Sequence, residues 1–413
     1  MFKKIPGTKD ILPAEVAIWQ EIEKISRGIF SLYNYQEIRP PLVEEAGLFD
    51  RSLGASAEIV QKQMFLIQNK EELYALRPEG TASVVRSYIE NNLDKTNGFL
   101  KVYYIGPMFR LERPQKGRYR QFHHVGCEVL GSQDACLDVE VIALARELLE
   151  SFSVSGYRIK INSLGCLKDK AELNKNLKDA LSGKVDKLCE DCQNRLKTNV
   201  LRILDCKNES CRQIVDTLKL GNKHLCPECL EHFNSVLSGL DLLGISYQVS
   251  HSLVRGLDYY TRTVFEITHQ DLGSQDAIGA GGRYNNLVKE LGGPDIGAIG
   301  FAFGVERVLL VSKLVEKIKN VSNLVFLITL GEVAKTRGMR VLADLRKMGV
   351  TADTDYENKS LKACMRKAND LNARMVLILG EDELKKEAIT IKDMANGVQK
   401  EVSLLGLEKE IKC

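Results

Sequence analysis

The sequence predicts an α+β body built on antiparallel strands, carrying a helical insertion and followed by a compact α/β domain. Three observations predict it. Two aromatic and β-branched runs, KVYYIGPMF (101–109) and RQFHHVGCEVLG (120–131), flank a basic loop whose Pro114 and Gly117 rule out a single helix. They read as an antiparallel pair. A lysine- and cysteine-rich stretch of helical pattern, 168–240, separates strand-like RIKINSLG from a second group of strands. From Asn323 onward, short apolar runs alternate with amphipathic ones, the pattern of strands exchanging with helices.

Taken in order, Val16, Trp19, Ile22, Ile25, Ile29 and Phe30 recur at three to four positions, so residues 13–35 form a helix with one buried face. It stops at Asn34 and before Pro40 and Pro41. After the hairpin, DVEVIALARELLESF is helical. Strands resume over YQVSHSLVRGLDYYTRTVFEITH (247–269) and the glycine-dense GAGGRYNNLVKELGGPDIGAIGFAFG, which ends in the helix GVERVLLVSKLVEKI. In the last domain the expected elements are NLVFLITL, GMRVLADLRKM, GVTADTDY, SLKACMRKANDL, ARMVLILG and EAITIKDM. The domains therefore read as 1–320, interrupted by 168–240, and 323–413, with a linker near Lys317 to Ser322.

Composition narrows the function. The chain has 413 residues, 44 % apolar content and a formal net charge of only +3, so nucleic acid would be met by a local basic track rather than by the whole surface. No window approaches the length of a membrane span, and the expected location is the cytoplasm. The 11 cysteines argue for reduced thiols, either metal-free or in part holding metal, rather than a disulfide framework. The pairs Cys189/Cys192 and Cys226/Cys229 have the CxxC spacing of a structural zinc site, with 33 residues between them. His224 and His232 flank the second pair and read as surface residues.

The charged residues cluster. Arg110, Glu112, Arg113, Lys116, Arg118 and Arg120 crowd the hairpin. Strand alternation puts Arg120, Phe122, His124 and Glu128 on one face with a gap at Gly126. A core-facing row would be apolar, so this is either a salt-bridged surface hairpin or a face that meets a ligand, with an arginine to clamp phosphate and Phe122 to offer a ring to a base. LRPEGTA (76–82) places Glu79 and Thr81 at a turn before a helix, either as a cap or as a holder for an ammonium group. Arg255, in LVRGLDYYTRT, and Arg307, in GVERV, lie far apart in sequence beside glycines. Separated arginines converging on one site are suited to neutralising a polyphosphate. Neither GxGxxG nor GxxxxGK[ST] occurs, which disfavours a Rossmann or P-loop site.

LRPEGTA, GPMFRLERPQKGRYRQFHHVGCE, LVRGLDYYTRT, AGGRYNNL and GFAFGVERV together resemble, in order, the signature blocks of the histidyl-tRNA synthetase family of class II aminoacyl-tRNA synthetases. The resemblance runs from IPGTKDILP into the C-terminal domain. It implies a class II catalytic domain, an anticodon-binding C-terminal domain, and a homodimer with YQEIRPPL at its interface. The implied substrates are L-histidine, ATP with Mg2+, and tRNA(His). The residue matching Arg110 would bind the α-phosphate and the histidine carboxylate, and Arg255 would reach the α-phosphate where related enzymes place a metal ion. Glu112 and Phe122 would hold adenine, and Arg118 and Arg307 the other phosphates.

Glu79, Gly80 and Thr81 would face the substrate ammonium, with Glu128, Tyr259 and Tyr260 around the imidazole. Arg113, Gln115 and Arg120 would lie near the tRNA acceptor end. A regulatory paralogue that partners ATP phosphoribosyltransferase typically lacks the C-terminal domain present here. His124 stands where the family usually has glutamine, and at the ordinary imidazole value it would weaken histidine binding below pH ~6.5. Asn285 replaces the aspartate of the GGRYD block.

Overall fold

The computed structural model describes residues 2–411 apart from 55–56, 97, 219, 274–275, 318–322 and 358. Two compact units, Met1–Lys317 and Ile318–Cys413, divide the chain. Residues 318–322 of the expected linker lie outside the described residues.

The first helix, Pro13–Leu32, opens on a proline whose fixed φ suits a first turn and ends before Asn34, which adopts φ 60°. Ile22, Ser26 and Phe30, one per turn, are its buried side chains. Phe30 stacks on Tyr103 at 4.4 Å between ring centroids, which fixes the helix to the sheet.

The strands of the first unit are β1 (Gln36–Glu37), β2 (Val43–Glu45), β3 (Phe65–Asn69), β4 (Glu72–Leu76), β5 (Leu100–Phe109), β6 (Gln121–Leu130), β7 (Arg158–Ser163), β8 (Gln248–Val249), β9 (Thr261–Thr268), β10 (Ala277–Arg283) and β11 (Ala298–Gly304). Eight of them form one sheet in the order β1-β5-β6-β11-β10-β9-β7-β8, and β2-β4-β3 form a small second sheet. The large sheet is antiparallel except at its two edges, where β1 pairs with β5 and β7 with β8 in parallel. The β5–β6 pairing is the expected hairpin.

Its register creates a trough. On β6, His124 lies between Gly106 of β5 and Gly304 of β11, and Gly126 between Tyr104 and Ala302. Glu128 faces Gly300, where an added Cβ would stand 1.9 Å from the Glu128 carboxylate. The small neighbours are what let polar side chains rise from the middle of a sheet.

Two expectations change. Residues 250–260 are not strand: after the two residues of β8 the chain runs irregularly to β9. Gly256 and the polar residues around it break the alternation a strand needs, and side chains replace the ladder. Asn162 donates to the carbonyls of His251 and Leu253, while Lys170 donates to those of Asp258 and Tyr260. The helix expected from Gly304 is divided into Val305–Val311 and Leu314–Lys317, because Ser312 is extended and its hydroxyl donates to Phe152 O.

Residues 168–240 are helical as expected, with α-helices Leu167–Leu181, Glu190–Thr198, Glu209–Asp216 and Pro227–Leu242. They do not form a separate core. Leu173, Leu177 and Ile203 join the same apolar cluster as Leu253, Val264 and Tyr284.

In the second unit, β12 (Val325–Thr329), β13 (Ala352–Thr354), β14 (Met375–Leu379), β15 (Ala388–Asp393) and β16 (Gln399–Ser403) pair in the order β13-β12-β14-β15-β16. Alternate residues of β12 serve opposite faces: Val325 and Leu327 cluster with Val341 and Leu345, Phe326 and Ile328 with Cys364 and Ala368. A helix therefore covers each face. Strand β16 was not expected, because QKEVS is a largely exposed edge without apolar alternation.

One buried ion pair ties the first unit together. The guanidinium of Arg283 on β10 and the carboxylate of Asp138 on helix Ala135–Ser151 are both fully buried, 2.6 Å apart. Arg283 also donates to the carbonyls of Ser132 and Asp134, and Asn285 accepts from Ala298 N, so this part of the GGRYN block serves the fold. Asp138→Ala leaves Arg283 buried without its counter-charge and should lower stability by about 3–5 kcal/mol. Denaturant titration of the full chain measures this; a midpoint equal to the native one would show that the pair contributes nothing.

Candidate functional site

The trough on the large sheet opens into a cleft of about 340 Å³ within the first unit. Sequence-distant arginines meet there: Arg110 and Arg118 from the hairpin, Arg255 from the irregular 250–260 segment, and Arg307 from the helix after β11 all line it. Each is held by oxygen. Arg110 Nε donates to Pro78 O at 2.8 Å, Arg307 donates to Gly117 O and Ala277 O, Arg118 pairs with Glu112, and Arg255 with Glu266.

The charges register one another. Burial lowers the pKa of Arg110, with Glu79 opposing and Arg255 adding to the effect. Arg118 is lowered by burial and then by Arg307 and Arg110, and Arg307 by burial and then by Arg110. Repulsion between these groups defines a pocket prepared for a polyanion. Phe122 supplies a flat apolar surface beside them, with the Arg110 guanidinium 5.4 Å from its ring centre.

Acidic and aromatic residues share the cleft with these arginines. Glu79, Gly80 and Thr81 line it at the start of helix Thr81–Glu90. The Glu79 carboxylate accepts from the amides of Thr81 and Ala82 at 2.6 and 2.8 Å, so the capping role holds. It also faces the cleft. Burial pushes its carboxyl above the usual range, against the lowering by those amides, and an arriving cation would relieve that cost.

Glu128 lies beneath the floor, 1 % exposed. It accepts from Thr81 Oγ1 at 2.7 Å, Tyr104 OH at 3.2 Å and Tyr284 OH at 2.5 Å. These three hydroxyls hold it just beneath the residues that line the cleft. Burial, against the lowering by Tyr284 and Thr81, pushes this carboxyl up to about 8. Tyr259 and Tyr260 complete the wall, their rings 4.8 Å apart.

The basic loop divides in a way strand alternation did not anticipate. Arg120 does not join the Phe122 row: β6 begins at Gln121, and Arg120 turns away, its Nε donating to Glu112 O while its chain packs on Gly7. Arg113 and Gln115 are exposed outside the cleft. Sequence reasoning missed Tyr104, Tyr284, Glu266, Asp276 and Glu306, all on the cleft wall. Tyr104 and Tyr284 sit within quoted blocks but read as ordinary strand and turn aromatics. Only the register facing Gly126 reveals the first.

The four cysteines expected to share one metal do not meet. Cys189 and Cys192 gather with Cys206 and Cys211, whereas Cys226 and Cys229 gather with Cys166 and Asp169. Each CxxC begins a different helix, which carries its thiols to a different neighbour.

A family model described as Histidyl-tRNA synthetase matches residues 7–308, and one described as Anticodon binding domain matches 324–413. Curated relatives named histidine–tRNA ligase from Desulforamulus reducens and Halothermothrix orenii are each 45% identical to this chain, over 98% of it and 98% and 97% of their own lengths. The apo histidyl-tRNA synthetase of S. aureus is similar at 35% identity and TM-score 0.83, over all of both chains. An ATP phosphoribosyltransferase regulatory subunit/histidyl-tRNA synthetase from Bacillus halodurans C, 21% identical with TM-score 0.67 over 92% of this chain and 98% of its own, shares the fold.

His124 corrects the expectation of titration near neutrality. Burial, then the charges of Arg110 and Arg77, push its imidazole down to about 3. The unfolded chain takes up this proton near pH 6.5 and the folded chain only near 3, so the His124 contribution to stability is full above 6.5 and is lost as pH falls toward 3. At about 1.4 kcal/mol per pH unit, the stability of the native chain relative to His124→Gln should be about 2 kcal/mol lower near pH 5 than near pH 7. Denaturation at both pH values measures this, and a constant difference would contradict it.

Proposed function

The chain belongs to the histidyl-tRNA synthetase family, and we propose that it carries out that family's reaction with the residues gathered in this cleft. It activates L-histidine with ATP to histidyl-adenylate and pyrophosphate, then transfers the histidyl group to the 3′ end of tRNA(His). The observation that carries the residue assignment is the meeting of Arg110, Arg255 and Arg307 on one cleft that the buried Glu79 also lines, with Glu128 buried beneath it.

In the first step a histidine carboxylate oxygen attacks the α-phosphorus, the bond to the β-phosphate oxygen breaks, and pyrophosphate leaves. Two anions must be held in contact, so fixed cations offset both their repulsion and the charge that grows on the phosphoryl oxygens. Arg110 and Arg255 take the α-phosphate and the carboxylate; Arg118 and Arg307 take the outer phosphates. Phe122 stacks on adenine, and Glu112 accepts from its amino group once Arg118 transfers to phosphate. Mg2+ arriving with ATP would be held by Glu266 and Asp276, which offer the hard oxygen donors it prefers, and would offset phosphate charge. Glu79 and Thr81 face the ammonium, with His124 neutral beside them.

Around the imidazole, Glu128 and the hydroxyls of Tyr259 and Tyr260 serve the ring nitrogens. An analogue lacking those nitrogens leaves buried polar groups unpaired, which supports discrimination on the order of 10⁴ to 10⁵. Arg113, Gln115 and Arg120 serve the tRNA acceptor end, and the second unit the anticodon. The exposed apolar residues Leu42, Val43, Leu66, Ile67 and Leu73, on and beside the small sheet, support a homodimer. No helix among the described residues is long and apolar enough to cross a membrane, and the reaction belongs in the cytoplasm.

Histidine-dependent exchange of labelled pyrophosphate into ATP tests the assignment. The native chain should exchange, and Arg110→Ala or Arg255→Ala should lower kcat/KM by roughly 10²- to 10³-fold. Exchange that is absent in the native chain, or unchanged in both variants, would overturn the assignment.

A further inference from the structure

The insertion carries four thiols that the aminoacylation chemistry does not use. Cys189, Cys192, Cys206 and Cys211 bring their sulfur atoms within 4.8 Å of one another. Cys189 and Cys206 are 3.8 Å apart at sulfur. That is far beyond a disulfide bond of about 2.05 Å, and it equals the edge of a tetrahedron, about 3.8 Å, built on metal–sulfur bonds of about 2.3 Å. Cys192 and Cys211 are fully buried and Cys206 nearly so, while all four remain free thiols. The spacing CxxC, then 13 residues, then C-x4-C delivers two ligands from the start of one helix, one from the turn before the next helix and one from that helix's first turn.

Hydrogen bonding to the sulfurs fits thiolate ligands. The amide of Cys189 donates to Cys211 Sγ at 3.2 Å, and that of Asn208 to Cys206 Sγ at 3.4 Å. Buried cysteine alone is an ordinary core residue, and Cys127 and Cys364 are buried without belonging to any such group. Convergence of four, with amides aimed at two of the sulfurs, is what core packing does not require.

We propose that Cys189, Cys192, Cys206 and Cys211 hold one zinc ion as a tetrahedral four-thiolate site. All-sulfur tetrahedral donors with no open position suit a structural ion rather than a catalytic one. The second group, Cys166, Asp169, Cys226 and Cys229, has a competing use, since Asp169 accepts from Cys166 N at the start of its helix; the proposal rests on the four-thiol group alone. The ion has a consequence for the cleft. Arg202, Asp205 and Lys207 line the cleft and lie between the ligands Cys192 and Cys211. Asn199, in the same segment, donates to Asp258 at 2.8 Å within the loop that carries Arg255. The zinc thereby orders one wall of the site.

The test is the metal content of the full-length chain, purified under reducing conditions and incubated with zinc before removal of excess. Cys206→Ser should bind one zinc per chain fewer than the native protein, and Cys136→Ser, an exposed cysteine outside the group, should bind as many as the native protein. Should Cys206→Ser not fold, cobalt in Cys226→Ser gives a second readout: strong visible d–d bands with sulfur-to-cobalt charge transfer are expected. Native protein without zinc, equal zinc in Cys206→Ser, or the pale spectrum of octahedral cobalt would overturn the proposal.

Discussion

The cleft rests on a repulsion that the fold holds in place. Several guanidinium groups are taken out of water close enough to lower one another's proton affinity, an arrangement that would drive itself apart without oxygen partners. Pro78, Gly117 and Ala277 supply carbonyls, while Glu112 and Glu266 supply carboxylates. These partners make the ligand-free state tolerable, and two of them can be exchanged. Under the proposed function a triphosphate would replace Glu112 on Arg118 and Glu266 on Arg255 with a stronger counter-charge, so that binding would release energy stored by folding.

Holding those groups requires the sheet below them to be unusually bare. Gly106, Gly126, Gly300 and Gly304 surround His124 and Glu128 on β5, β6 and β11, and Gly300 in particular admits the Glu128 carboxylate where any Cβ would exclude it. The irregular 250–260 segment is held from outside by Asn162, Lys170 and Asn199, two of which belong to the insertion. The insertion is therefore part of the apparatus that positions Arg255.

Much of this was legible in the sequence, and the reasons for the exceptions are physical. The hairpin could be read because its strands are long, aromatic and separated by Pro114 and Gly117. Arg110, Arg118, Arg255 and Arg307 stood out because charge beside glycine or at a strand end is costly to explain as core. Tyr104 and Tyr284 were not legible, since their role depends on a Glu128 carboxylate contributed by another element. The depressed imidazole of His124 was equally hidden, because burial depth is a property of the packed molecule. The cysteines were seen but paired wrongly: spacing shows which thiols are near in sequence, and only the helix directions show which converge. Residues 250–260 read as strand because the aromatic pair Tyr259 and Tyr260 mimics one.

The most direct measurement of the central claim is a crystal structure of the chain with histidine and a non-hydrolysable ATP analogue. The account predicts one triphosphate contacted by Arg110, Arg255 and Arg307 together, with Arg118 released from Glu112 and the imidazole beside Glu128. A nucleotide bound elsewhere, or bound in the cleft with any of those three guanidinium groups turned away from its phosphates, would contradict it.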